Sequence, residues 1–325
     1  MPEAYIVAAA RTAGGKREGR LFGWHPVDLA AAVLDEVVAR SGAAPDAVED
    51  VIMGCVTQSG EQGLHVGRNA VLASNLPRSV PAVSIDRQCG SSQQSIHFAA
   101  QAVMSGTQDL VIAAGVESMS RAPMGSSGMW SKTPKPGSPS SAGLAAKYPN
   151  PMFSQFTGAE MIAEKWGQSR GALDAFALES HRRAIAATDA GAFDAEILGL
   201  DIELDGETLR HIHDEGIRRE ATLDSIGSVR TLVEGGRITA ANASQICDGS
   251  AAVMVASEQA IKDHNLTPLA RIHQLTVTAG DPVIMLEEPL YATDRALKRA
   301  GMKIDDIDLF EVNEAFAPVP MAWLT

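Results

Sequence analysis

Between Leu29 and Gly115 the hydrophobic period changes repeatedly, and each helical stretch ends at a glycine. Short helices alternating with short strands bury their apolar faces together when the helices pack on a sheet, so the pattern specifies a layered α/β domain. The first helix is predicted over Leu29–Arg40, where Leu29, Val33, Val37 and Arg40 fall near one stripe and Gly42 supplies the stop. Val48–Val56 reads as a strand, and a second unit follows. Val80–Ile85 is rich in strand formers, Ile96, Ala99, Ala100 and Val103 recur at helical spacing before Gly106, and Leu110–Ala114 reads as a buried strand.

The chain has 325 residues, enough for about two domains. Apolar residues make up 45 % and charged residues 21 %, which excludes a disordered, collagen-like or disulfide-scaffold protein. Lys and Arg number 27 against 40 Asp and Glu, and the resulting charge of −13 repels phosphate backbones and anionic lipid. No nucleic-acid partner and no membrane surface is expected. Cys55, Cys89 and Cys247 are an odd number and cannot form a disulfide framework, as in a reducing compartment. The N-terminus has no basic region before Ala4–Arg11, and no apolar run reaches the ~20 residues that span a bilayer, so a cytoplasmic protein is expected.

From Met119 to Gly158 periodicity stops and Pro, Gly and Ser crowd the chain, most densely over 133–141. A stretch this long without periodicity is expected to be a functional insertion rather than a connection. Helices are predicted at Ala159–Trp166 and at Ser169–Ala190, the second capped by Ser169 and closed by Gly191. Ile238–Ala256 is predicted to lead through a small-residue helix back into the α/β core. The run Val37–Gly42 followed by Pro45–Ile52 is echoed by Ala296–Gly301 followed by Asp305–Phe310, which reads as two copies of a helix–turn–strand unit. The first copy continues from Gly42 to Gly115, while the chain stops soon after Gly301 on an apolar, uncapped segment. A second copy cut short by truncation is the expectation.

Cys89 lies between the strand ending near Ile85 and the helix beginning near Ser91, flanked by Asp86-Arg87-Gln88 and Gly90-Ser91-Ser92. There the helix N–H groups point outward and Gly90 admits close approach. The helix dipole contributes only about 0.3–2 kcal/mol, so a reactive thiolate also needs a base. A buried, inert cysteine is the competing reading at Cys89 and the preferred one at Cys55 and Cys247. Asn313-Glu314 follows the predicted strand Leu309–Val312. At a strand end Asn313 can orient a water or polarise a carbonyl, or simply cap the next helix. His211 and His213 form an H-x-H pair without further ligands at finger-like spacing, so a solvated loop is favoured and no metal is expected.

Together these segments resemble the thiolase family. The resemblance rests on Ala10-Arg11-Thr12, Asp86–Ser92, Gly115–Ser120, Thr239–Ser244 with Asp248-Gly249, and Asn313–Ala317, and covers essentially the whole chain. It implies two similar α/β halves in five αβαβα layers, with an inserted loop domain that covers coenzyme A. The corresponding division is 1–118 with 239–267 as the N-terminal half, 119–238 as the insertion, and 268–325 as an incomplete C-terminal half. By the same resemblance Cys89 is the acyl-accepting nucleophile and Asn313 holds the water of an oxyanion hole. Ser244, with Ala240 in the same segment, meets the pantetheine. Arg218 packs on the adenine, and Ala315 and Phe316 line the acyl end. Acyl-CoA and acetyl-CoA would be the partners, with no permanently bound cofactor, in a homodimer or homotetramer.

Two departures from the family pattern stand out. Ser154-Gln155 replaces the His-Met pair of short-chain biosynthetic members, and neither the Gly-His-Pro nor the Cys-Gly-Gly-Gly segment of thiolases occurs in these residues. Those two segments carry the base for the nucleophile and the second catalytic cysteine, so little or no turnover is expected from the chain as written. The expected reaction is reversible transfer of an acyl group between coenzyme A and acetyl-CoA. The alternatives are a decarboxylating ketosynthase-type condensing enzyme and a non-catalytic acyl-CoA-binding relative or fragment.

Overall fold

The computed structural model describes residues 2–128, 139–149 and 153–325. In chain order it begins with β1 (Ala4–Thr12), β2 (Gly15–Lys16), α1 (Pro26–Ser41), β3 (Asp50–Gly54), α2 (Val66–Ala73), β4 (Ala82–Ile85), α3 (Ser91–Ser105) and β5 (Leu110–Ser118). Then come α4 (Ala142–Lys147), α5 (Gln155–Lys165), α6 (Arg170–Asp189), β6 (Ile197–Leu198), β7 (Leu200–Leu204), β8 (Glu207–His211) and α7 (Leu223–Gly227). The chain closes with β9 (Cys247–Ser257), α8 (Glu258–Asp263), β10 (Ala270–Arg271), α9 (Glu288–Ala300) and α10 (Pro318–Trp323). Two compact units result. The first comprises Met1–Gly137, Gly191–Gly216 and Ile246–Ile272, and the second Ser138–Ala190, Ile217–Gln245 and His273–Thr325.

The first unit is built on an eight-stranded sheet in the order β10-β1-β9-β5-β3-β4, with β2 on β9 and β6 on β1. β9 runs antiparallel to both β1 and β5, and β3 runs parallel to β5 and β4. Alternation sends Val51 and Met53 of β3 and Leu110, Ile112 and Ala114 of β5 into one core with Leu29, Val33, Leu34 and Val37 of α1 and Val66 and Ala70 of α2. The opposite face receives α3. Glycines allow that approach: a Cβ on Gly54 would lie 2.6 Å from the Ser91 carbonyl carbon, and one on Gly115 would overlap Ser92 Oγ. The first turn of α3, which carries the Cys89 segment, is thereby seated directly on the sheet.

The second unit has no strand of its own among the described residues. Its helices close around Ile162, Leu173, Ile238, Phe316 and Val319. Ser169 caps α6 as predicted, accepting the Ala172 N–H. Of the Met119–Gly158 stretch, 129–138 and 150–152 lie outside the described residues, and α4 and the start of α5 occupy part of the rest.

Three expectations are corrected. The small-residue helix within Ile238–Ala256 is absent: Ile238–Ile246 is irregular apart from an isolated bridge at Thr239 and another at Ala243, and Cys247–Ser257 is strand β9. Paired along both edges, β9 is buried at Ser250, Ala252 and Met254 but exposed at Ala251, and its small residues show no period that separates strand from helix. The strand at Leu309–Val312 is also absent; no ladder forms there and Leu309 is 89 % exposed. Lastly, His211 is no loop residue. It ends β8 fully buried, its Nε2 3.2 Å from the Ala13 carbonyl, and burial pushes its pKa down.

Candidate active site

The Cys89 turn is assembled from short-range bonds. Asp86 Oδ1 accepts the Gln88 N–H at 2.7 Å, the Arg87 N–H donates to Ser91 Oγ at 2.8 Å, and the Ser91 hydroxyl donates to the Gln88 carbonyl at 2.6 Å. Gln88 is held at φ 48°, a left-handed conformation that a side-chain-bearing residue adopts only when its surroundings impose it. Cys89 is thus presented, exposed, at the residue before Gly90, the N-cap of α3. No side chain caps that helix; the Gly90 and Ser91 N–H groups donate to the Arg87 and Gln88 carbonyls at 3.1 and 3.0 Å, which closes the turn that carries the thiol.

The other two cysteines differ. Cys55 is buried, and burial together with Glu117 and Asp86 pushes its thiol up to about 12. Cys247 is exposed at the start of β9, yet desolvation and then the Asp248 and Glu117 carboxylates raise its thiol as well. Either shift disfavours the thiolate that nucleophilic attack requires.

The second unit contains a cavity of about 810 Å³, within the range of small-molecule sites. Its wall brings together Arg218, Ala240 and Ser244, three residues singled out from the sequence, with Ser180 and His181 of α6 and with Glu314. Arg219 is tied to Asp189 at 2.7 Å, whereas the exposed Arg218 guanidinium has no hydrogen-bond or ion-pair partner among the described residues. A free guanidinium on a cavity wall is equipped for an anion or a planar ring.

Buried polar bonds set the wall. Asn242 accepts the Thr239 N–H on Oδ1 at 2.8 Å and donates through Nδ2 to Asp174 and to the Arg237 carbonyl, each at 3.0 Å. Asp174, 4 % exposed, also takes Arg170 Nε at 2.6 Å, so the buried carboxylate is paired and hydrogen-bonded. The Ser244 N–H donates to the Ala315 carbonyl and the Ala317 N–H to the Asn242 carbonyl, both at 2.9 Å, which fastens the Ser244 loop to the Asn313–Ala317 segment.

Asn313 is exposed on irregular backbone and does not line the cavity. Ala315 and Phe316 are buried in the second unit's core, where Phe156 meets Phe316 edge-on at 5.7 Å between ring centres. Cys89 belongs to the first unit. Sequence reading missed Ser180, His181 and Glu314 as cavity residues. The available signal was a Ser-His pair one turn beyond Phe176-Ala177 on a predicted helix, and pairings such as Ser180 with Glu314 are too remote in sequence to show in a pattern.

The sequence profile described as "Thiolase, N-terminal domain" matches residues 4–259, and "Thiolase, C-terminal domain" matches 266–325. The chain belongs to the thiolase family, and its activity is acyl-CoA acyl transfer. It is 49 % identical to a steroid 3-ketoacyl-CoA thiolase of Mycobacterium tuberculosis, over 100 % of this chain and 79 % of that protein. A 3-ketoacyl-CoA thiolase of Bacillus subtilis is 38 % identical, over 98 % of this chain and 82 % of its own length. Among solved structures, human mitochondrial 3-ketoacyl-CoA thiolase superposes with a TM-score of 0.89 at 34 % identity, covering 99 % of this chain and 82 % of the human one. The acetyl-CoA acetyltransferase of Bacillus anthracis gives 0.88 at 32 %, with the same coverage. The fold is that of these thiolases.

Proposed function

We propose that the protein cleaves and forms 3-oxoacyl-CoA through an acyl-cysteine on Cys89. The observation that carries this assignment is the exposed Cys89 turn at the N-terminus of α3, and burial raises the thiols of Cys55 and Cys247. In the cleavage direction the Cys89 sulfur bonds to the 3-oxo carbon, the bond between carbons 2 and 3 breaks, and the departing carbanion takes a proton to become acetyl-CoA. Coenzyme A sulfur then attacks the acyl-cysteine, its proton leaves, and Cys89 is released. In the second step a thioester is exchanged for a thioester, so that transfer runs readily in either direction. Asn313 is assigned the water that meets the developing oxyanion.

Arg218, Ala240 and Ser244 are assigned to the adenine and pantetheine of coenzyme A, and Ala315 and Phe316 to the acyl end. The aromatic pair Phe156 and Phe316, the Ser154-Gln155 departure and the steroid thiolase relative support acyl groups bulkier than acetyl. In this reading 1–118 with 239–267 form one family half, 119–238 the cover for coenzyme A, and 268–325 belong to the other half. Coenzyme A thioesters are substrates rather than a resident cofactor. No helix among the described residues is long and apolar enough to cross a membrane, and a cytoplasmic location is assigned. The protein is assigned as a homodimer or homotetramer; sedimentation as a monomer at about micromolar concentration, a range in which obligate oligomers persist, contradicts this.

Peptide mass spectrometry after incubation with an acyl-CoA is expected to find the acyl group on Cys89 and to lose it in Cys89→Ala. A label on Cys55 or Cys247, or labelling unchanged in the variant, overturns the assignment.

A further inference from the structure

The Arg218 guanidinium is free, but its backbone is not. On α6, His181 lines the coenzyme A cavity, and its Nδ1 accepts the Arg218 N–H at 3.4 Å. Next to it the Ser180 hydroxyl donates to Glu314 Oε2 at 2.8 Å, so one turn of one helix holds both the arginine loop and the carboxylate that follows Asn313. We propose that His181 is a positioning residue for coenzyme A: as a neutral imidazole it accepts the Arg218 backbone N–H and fixes where the Arg218 guanidinium enters the cavity. The inference rests on the assignment of this cavity to coenzyme A.

An accepting Nδ1 places the ring proton on Nε2. Protonation of Nδ1 removes the acceptor and sets a second cation beside Arg218, so the loop is released in acid. The charged groups facing the ring are Arg218 from the loop after Ile217 and Glu314 from the segment after Asn313. Arg219 and Glu220 line the same cavity, with Arg219 paired to Asp189, and on the ring's own helix Arg183 is paired to Glu179. Desolvation and then Arg218 push the His181 pKa down while Glu314 opposes them, which keeps the neutral acceptor in place near neutral pH.

The test is calorimetric binding of coenzyme A to the wild-type protein, His181→Ala, His181→Asn and Arg218→Ala between about pH 5.5 and 8, a span that brackets the ordinary histidine range. His181→Ala is expected to weaken binding about two- to tenfold at the alkaline end, the scale of one neutral hydrogen bond. Asn Oδ1 stands where Nδ1 stood and does not titrate, so His181→Asn retains affinity there. The wild type then weakens relative to His181→Asn as pH falls, by up to about the same factor, and the titration of coenzyme A itself cancels in that ratio. Unchanged binding in His181→Ala, or a ratio that stays flat or moves the other way in acid, overturns the proposal. If Arg218→Ala binds as well as wild type, the cavity assignment itself fails; if Arg218→Ala is weak and His181→Ala is not, only the role of His181 is lost.

Discussion

The protein contains the same local message twice, with different outcomes. In the first unit α1 ends at Gly42 (φ 74°), a 3-10 turn spans Pro45–Ala47, and the chain enters β3. In the second unit α9 ends at Gly301 (φ 68°), a 3-10 turn spans Ile304–Asp306, and residues 307–312 form no strand. Helix, left-handed glycine and tight turn are reproduced because each depends on residues within a few positions. The strand is not, because a strand is completed by its neighbours: β3 lies between β5 and β4, whereas 307–312 has no ladder partner among the described residues. Packing follows the same division, since eight residues of α1 are buried and none of α9.

The largest expected effect lies in that packing contrast. Leu34 on α1 is fully buried in the core shared with β3 and β5, so Leu34→Ala is expected to cost about 2–5 kcal/mol in urea unfolding, from lost burial and the cavity left behind. Leu309, 89 % exposed in the second copy, has little to lose, and Leu309→Ala is expected to stay within about 0.5 kcal/mol. Comparable losses at the two sites would mean that residues 307–312 are packed in solution, and the contrast between the copies would break.

The division between local and remote determinants also decides what could be read from the sequence. Gly42, Gly106 and the Ser169 cap were legible because each acts through its own turn. The Cys89 turn was legible as a strand–helix junction, but the glycines that seat it were not, because Gly54 and Gly115 lie on other strands and meet α3 only after folding. β9 was misread since its small residues suit either period, and what decides is β1 on one side and β5 on the other. At the cavity, Arg218, Ala240 and Ser244 came from the family resemblance. His181 and Asp174 could not be found that way: their partners Arg218 and Asn242 are distant in sequence, and a hydrogen bond between remote segments leaves no period behind.

The smaller and sharper test concerns the turn that both copies share. Gly42 and Gly301 each hold a left-handed φ at the C-cap of a helix, and a Cβ built on either meets nothing within 4 Å. Substitution by alanine therefore introduces no clash, and the expected cost is the backbone penalty of a left-handed non-glycine residue, about 1–2 kcal/mol at each site. Because no residue of α9 is fully buried, its fraying need not register in global unfolding, so hydrogen exchange is the suitable measurement. The Gly42 amide donates to Val38 and the Met302 amide to Leu297, each closing the last turn of its helix, and both should exchange faster by similar factors in Gly42→Ala and Gly301→Ala respectively. Equal losses would show the turn to be local in energy as well as in geometry. A loss at Gly42 several times that at Gly301 would instead show that the packed sheet beyond the turn enforces it, and that the resemblance between the two copies does not extend to what holds them in place.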